Sequence, residues 1–174
     1  MERTKSINET LQLVKAHLPA PGAELGVYTF LAPEDLWTGT VDTQRQFVVV
    51  AEEDNAGGNA AFLMIVLSDG PVYIAELCDS QTEQAAARDT LDLREENLIC
   101  YCAADFPKFM EIMKLYLAVY QTVAEAVPEG EDSELYSEAE QELRQQIEAI
   151  DPTAIADENG LWSTMLEEFG SGMI

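Results

Sequence analysis

The chain of 174 residues carries 33 acidic and nine basic residues, which gives a formal charge of −24. Because 47 % of the residues are apolar, the composition is that of a folded domain and excludes a disordered acidic tail. The length favours a single domain over residues 1–174. Such a charge repels nucleic-acid phosphates and anionic lipid headgroups, so neither is expected as a direct partner, and a basic protein is the expected one.

The beginning of the sequence and its cysteines predict a cytoplasmic location. Residues 1–19 are polar and lack the apolar core of a signal peptide, and no run of 18 apolar residues could span a membrane. The three cysteines, Cys78, Cys100 and Cys102, are odd in number and lie within apolar runs. This pattern is typical of reduced, buried thiols and not of a disulfide framework.

The first half of the chain predicts one helix followed by a meander of strands. Ser6 and Glu9 form a capping-box pattern that begins a helix over 7–18, which ends at Pro19. Asp69-Gly70 is a typical hairpin turn between the last two of the strands that follow. The strand in 60–67 has no polar alternation, which predicts a central strand covered on both faces. The predicted strands cover 27–31, 46–51, 60–67 and 72–77.

The second half predicts mainly helices. Residues 78–97 are expected to form a long loop with a short helix over 81–88, before a strand over 98–103. Asp105 and Pro107 predict the start of a helix that runs to Ala126, with only a narrow polar strip. Further helices are predicted over 133–150 and 161–169, with a capped turn at Asp151-Pro152 between them. The fold class is α+β: a mainly antiparallel sheet of about five strands, with the helices packed on it.

No pattern of residues predicts catalysis or a bound cofactor. The single histidine, His17, ends a helix, and a Cys/His dyad with Cys100 or Cys102 is less favoured than core cysteines. A zinc site is not expected, because the three cysteines and the one histidine do not have the paired spacing of zinc ligands. The loop over 52–59 offers carboxylates for Ca²⁺ or Mg²⁺, but it lacks the EF-hand pattern and is better explained as a solvated hairpin loop. With so many carboxylates, two of them could come together in the fold by chance. A small Asp/Glu- and metal-dependent hydrolase therefore stays an alternative.

The acidic residues are unevenly distributed and supply the candidate binding residues. Residues 88–174 carry 20 acidic and five basic residues, against 13 and four in 1–87. Residues 129–142 hold seven acids and no base, some of them suited to a helix N-terminus. Trp37, beside a Thr-Gly turn, is the candidate exposed aromatic anchor, whereas Trp162 is expected in the core. The candidate partner-binding acids are Glu52, Glu53, Asp54, Glu129, Glu131, Asp132 and Glu134.

Two segments carry a resemblance to a known family. Residues 147–174 contain a D-P-x-A turn, a Trp-containing helix and a Leu-Glu-Glu sequence with a Gly-hydrophobic tail, and residues 98–126 contain a strand, a small-residue turn and a long helix. These patterns resemble bacterial immunity proteins of the SUKH superfamily, particularly its fourth subgroup. The residues that carry the resemblance, expected to be structural, are Asp151, Pro152, Ala154, Trp162, Leu166, Glu167, Glu168 and Gly170.

The resemblance implies an α+β domain that is not an enzyme and that binds and neutralises a cognate toxin, often a nuclease or deaminase domain. The acidity is consistent with this, because toxins that act on nucleic acid present basic clefts. Two other functions stay open from the sequence: a regulatory adaptor, as in the wider superfamily, and the small Asp/Glu- and metal-dependent hydrolase.

Overall fold

The computed structural model describes residues 4–55, 58–88, 91–127 and 134–172, and these form an α+β fold. The predicted fold class is confirmed, but the described residues contain eight strands where about five were expected. The helices are α1 (Ile7–His17), α2 (Asp79–Ala86), α3 (Phe106–Ala126), α4 (Glu134–Ile150) and α5 (Leu161–Gly170). The strands are β1 (Glu24–Leu25), β2 (Tyr28–Phe30), β3 (Trp37–Val41), β4 (Arg45–Glu53), β5 (Phe62–Leu67), β6 (Val72–Glu76), β7 (Asp92–Leu93) and β8 (Leu98–Ala103).

The sheet is a meander extended at both edges. Its order is β1-β2-β4-β5-β6-β8, all antiparallel, and β3 pairs with the first part of β4 while β2 pairs with the last part. The short strand β7 pairs with β3 in parallel, which the meander prediction lacked. The predicted Asp69-Gly70 turn joins β5 to β6, with Gly70 at φ 126°, a conformation that glycine adopts without strain.

Strand β5 is central and buried on both faces, as its continuous apolar run predicted. Met64 and Val66 point into a helix-side cluster beneath α1, α3 and α5. Leu63 and Ile65 point into an opposite cluster that includes residues of β3, β7 and α2. A bulge in β4 between Val49 and Ala51 interrupts the alternation of its side chains. The sheet therefore separates two apolar cores.

Helix α3 packs on the sheet through its first half. The Asp105 side chain accepts a hydrogen bond from the Lys108 amide, which confirms the predicted start of the helix. Its fully buried residues end at Tyr116, and every position from Leu117 to Ala126 is exposed or half-buried. The expectation that only a narrow strip meets water is therefore wrong for the second half. Helix α4 packs beside that half, and the Phe169 ring of α5 contacts it at Tyr120, but much of its surface stays uncovered.

The chain closes on the sheet through a buried carboxylate. Asp151, 1 % exposed, ends α4 and begins the 3-10 turn Pro152–Ile155, as predicted. Its carboxylate accepts hydrogen bonds from the Ala104 amide after β8 (2.7 Å), from the Thr153 amide (3.0 Å) and from the Thr153 hydroxyl. Helix α5 then returns over α3, where Trp162 packs on Phe109 with ring centroids 5.3 Å apart. The predicted core position of Trp162 is confirmed.

Two further expectations concern surface features. In the described parts of 78–97, the predicted short helix is present as α2, whereas β7 and the 3-10 turn Glu95–Asn97 were not expected. Cys78 is exposed, so the expectation of a buried thiol is wrong there, whereas Cys102 is buried and Cys100 half-buried on the same face of β8.

Among the helices of the described residues, none combines the length and apolar character that a bilayer crossing requires.

Candidate functional site

The basic residues of the first two thirds of the chain are partly neutralised at the side of the sheet formed by β3 and β7. Arg45 pairs with Asp69 (3.0 Å) and Glu95 (3.2 Å), and Arg94 pairs with Asp42 (3.4 Å). Arg88 donates to the Asp35 carbonyl (2.9 Å) and lies 3.9 Å from its carboxylate. These exposed pairs contribute little to stability, but they leave few cations free for the rest of the surface.

The last 60 residues contain 14 acidic residues and a single basic one, Arg144. Arg144 is on α4, and two of its nitrogens bond the Glu140 carboxylate at 2.7 and 3.2 Å. Both side chains line the space between α4 and α5 together with Glu167. The positive charge of Arg144 therefore lies on the α5 side of α4, and the side of α4 that faces α3 carries no basic residue.

An apolar groove runs between the second half of α3 and the first half of α4. Two adjoining cavities of about 330 and 260 Å³ form it and share Thr122, Val123, Ala139 and Glu142. Its α4 wall is one helical stripe at spacings of three and four residues, and its α3 wall is a second. The other described residues that line it are Ala118, Val119, Ala126, Leu135, Glu138, Leu143 and Gln146. We call this feature the α3–α4 groove.

The groove exists because the facing side chains are small. Ala118, Thr122 and Ala126 on α3 stand opposite Ala139 on α4, where larger side chains would fill the space between two helices. The Thr122 hydroxyl is satisfied by the Ala118 carbonyl at 2.9 Å, so it presents mainly its methyl group. Leu135 is 46 % exposed at the end of the groove nearest the start of α4. Among the described residues, none covers this apolar floor.

Carboxylates rim this floor. Glu138 and Glu142 are exposed one turn apart on α4, and neither forms an ion pair with any residue in the described parts of the chain. Glu142 accepts only a long hydrogen bond, 3.5 Å, from the Gln146 side chain. The site therefore combines an open apolar floor with unpaired negative charge, which is the surface expected to receive an apolar segment flanked by basic residues.

The residues predicted as contacts on the strands have structural roles. Trp37 is only 7 % exposed, so the expectation of an exposed anchor is wrong. Its Nε1 donates to Glu52 Oε1 at 3.0 Å, from β3 to the neighbouring strand β4. Glu53 is half-buried and accepts from the Ala61 amide at 3.2 Å, across the hairpin. Asp54 is exposed beside them.

The predicted acidic segment before α4 is described only in part. Glu134 begins α4 and is exposed, about one turn from the groove residue Glu138. Glu129, Glu131 and Asp132 lie outside the described residues. The structure does not bring Glu134 together with Trp37, which belongs to the opposite cluster, on the far side of the sheet.

The residues that carried the family resemblance divide between core and surface. Asp151, Trp162 and Leu166 are buried, whereas Pro152, Glu167 and Glu168 are exposed. A Cβ on Gly170 would lie 3.0 Å from the Glu140 Cγ, so this glycine allows α4 and α5 to approach closely. None of them lines the α3–α4 groove. Sequence reasoning missed the groove, although the small residues of α3 facing solvent were its available signal.

Groups capable of acid–base or metal chemistry are dispersed. The His17 Nδ1 lies 2.9 Å from the Leu13 carbonyl oxygen, within its own helix. Burial raises the pKa of the Cys102 thiol well above its ordinary value, which disfavours the thiolate. Among residues 4–55, 58–88, 91–127 and 134–172, no cluster of three or more His, Cys, Asp or Glu side chains is arranged to hold a metal ion.

Comparison with known protein families, with curated proteins and with solved structures finds no match to this chain.

Proposed function

We propose that this protein is an immunity protein of the SUKH type, which binds a cognate basic toxin, a nuclease or deaminase domain, and blocks it in the cytoplasm. The proposed role is binding and not catalysis. It combines the sequence resemblance with the surface described above, and the whole domain serves to present that surface.

The observation that carries the proposal is the α3–α4 groove with its unpaired acidic rim. A toxin domain that acts on nucleic acid presents a basic cleft, and that cleft would meet carboxylates that have no competing cations nearby. The apolar floor would supply the desolvated contacts that hold a complex together once the charges have aligned it. An acidic surface without apolar anchors would give fast but short-lived encounters.

The overall charge supports the same role through association kinetics. A field of this sign raises the rate of encounter with a basic partner by about 10–10³-fold at low ionic strength. Because salt screens that field over about 8 Å at physiological ionic strength, the gain should fall as salt is added. Rapid capture suits an inhibitor that must reach a toxin before the toxin reaches its substrate.

The test begins with the toxin candidate encoded beside the gene for this chain. Cells that express the candidate toxic domain should survive when this chain is co-expressed and die without it. The purified pair should form a complex whose association rate constant, measured by stopped flow, falls at least about tenfold between 50 and 500 mM NaCl. An inactive toxin variant expressed in excess should compete for this chain and abolish survival, and changing the basic cleft residues of that competitor to Ala should restore survival.

The control separates steering from general acidity. Glu148 is exposed on the side of α4 away from the groove, so Glu148→Lys changes the net charge by the same amount as Glu142→Lys. We expect Glu142→Lys to slow association more than Glu148→Lys does. If the chain neither rescues cells nor forms a complex with the candidate, the immunity function is refuted for that pair.

A further inference from the structure

The α3–α4 groove has the dimensions and lining of a receptor for a helix. Its α4 wall runs from Leu135 to Gln146, which corresponds to about 16 Å or three helical turns. The two cavities follow one another along this stripe, with Ala139 shared between them. Apolar side chains at i, i+4 and i+7 of a docked helix would enter successive parts of the groove.

We infer that the groove binds an amphipathic helix of the partner protein, apolar on one face and lined by Lys or Arg along one edge. This inference rests on the proposed function and names the part of the toxin that is recognised. Apolar anchors of the helix fill the two cavities, and its basic edge lies against Glu138 and Glu142. Extended peptides are disfavoured, since both walls are helices and offer no unpaired strand edge.

Charge excludes a second copy of this chain as the occupant. Two molecules of charge −24 repel each other, and a symmetric contact through the groove would bring acidic rims together. The described cations on α3 and α4 cannot relieve this repulsion at the groove. Lys108 and Lys114 lie in the first half of α3, and Arg144 is bonded to Glu140.

The probes are three synthetic helical peptides of about 15 residues, with a fluorophore for anisotropy measurements. The first has a Leu stripe and a Lys edge. The second keeps the Leu stripe and has a Glu edge, and the third keeps the Lys edge with the Leu residues scrambled. We expect the first to bind the full-length protein at least about tenfold more tightly than either of the others.

Two pairs of variants locate the binding. Thr122→Trp fills the groove from α3, and its control Ala124→Trp introduces the same side chain at an exposed position of α3 outside the groove. Thr122→Trp should lower the affinity for the first peptide at least about tenfold, and Ala124→Trp should lower it by less than about twofold. Circular dichroism and the melting temperature establish that each variant is folded.

The charge variants give a reciprocal test. The double variant Glu138→Lys/Glu142→Lys should lower the affinity for the Lys-edged peptide at least about tenfold and raise the affinity for the Glu-edged one. Glu148→Lys should change either affinity by less than about twofold. The inference is overturned if the scrambled peptide binds as tightly as the first peptide, or if Thr122→Trp binds the first peptide as tightly as the wild type does. Self-association that Thr122→Trp abolishes would also overturn it, in favour of a second copy.

The two proposals fail separately. If the toxin is neutralised but Thr122→Trp and the double charge variant bind it as the wild type does, the helix-binding groove is refuted and the immunity function stands. If the peptides bind at the groove as described but no candidate toxin is bound or neutralised, the immunity function is refuted and the groove remains a helix receptor.

Discussion

Replacing Asp151 by Ala should destabilise the protein strongly, although Asp151 is a single residue between α4 and a short 3-10 turn. Its buried carboxylate joins the end of α4 to the end of β8 through the Ala104 amide and begins the next turn through Thr153. Asp151→Ala removes every one of these acceptors. The Ala104 amide then loses its carboxylate partner in a place where access of water is restricted.

The size of the effect follows from the separate contacts. A hydrogen bond to a charged group is worth about 1.5–3 kcal/mol, which applies to the half-buried Ala104 amide. The loss of a capping side chain costs about 1 kcal/mol more at Thr153, whose exposed groups can bind water instead. We therefore expect a loss of about 2.5–4 kcal/mol in the free energy of unfolding. For a chain of this length that corresponds to a melting temperature lower by about 5–16 °C.

Guanidinium denaturation followed by circular dichroism and by tryptophan fluorescence measures the effect. The control is Asp157→Ala, which removes an exposed carboxylate that accepts from the Asn159 amide at 2.9 Å. That variant should lose less than about 1 kcal/mol. If Asp151→Ala unfolds within about 1 kcal/mol of the wild type, the hydrogen bonds do not have the value assigned to them here.

Two further predictions concern close packing and thiol reactivity. Gly39→Ala should destabilise the protein by about 2–3 kcal/mol in the same denaturation assay, because the new Cβ would lie 2.4 Å from the Phe47 Cζ in the opposite cluster. With a disulfide reagent, Cys78 should react first and Cys102 last. A hydrogen bond with the Ser80 hydroxyl lowers the Cys78 pKa, so its thiolate, and hence its rate, should reach a plateau at a lower pH than an ordinary thiol does.

Each of these two predictions has its own control. Thr38→Ala, at the exposed position before Gly39, should change stability by less than about 0.5 kcal/mol, and an equally small effect of Gly39→Ala would contradict the packing argument. Cys78→Ser should abolish the fast phase of thiol reaction. A fast phase that persists in Cys78→Ser would show that another thiol is accessible.

Local signals in the sequence predicted the elements they directly govern. The Ser6–Glu9 pair caps α1, and Asp105 caps α3, because a capping side chain bonds amides only two or three residues away. The apolar run of β5 indicated burial on both faces without reference to any particular neighbour. Helix caps and buried strands depend on residues that are close in the sequence, so the sequence alone was enough to predict them.

Features that depend on distant partners were not predicted. Trp37 packs in the opposite cluster while Glu52, 15 residues later, accepts its indole N–H, and no local pattern specifies that pairing. The parallel pairing of β3 with β7 joins segments about 50 residues apart. Predicting the groove would have required knowing how α4 packs beside the second half of α3, and periodicity within α3 contains no information about its neighbours. The candidate site therefore emerged from tertiary structure.

The pairing of β4 with three strands also bears on how the protein folds. The β4–β5 and β5–β6 pairs are local in sequence, whereas β3–β7 and β6–β8 close longer loops. Because closing long loops costs entropy before any contact is made, the three-strand unit β4–β6 is expected to form in the transition state, with β7 and β8 joining afterwards. Shortening Val48 should accordingly slow refolding, and shortening Leu93 should mainly accelerate unfolding.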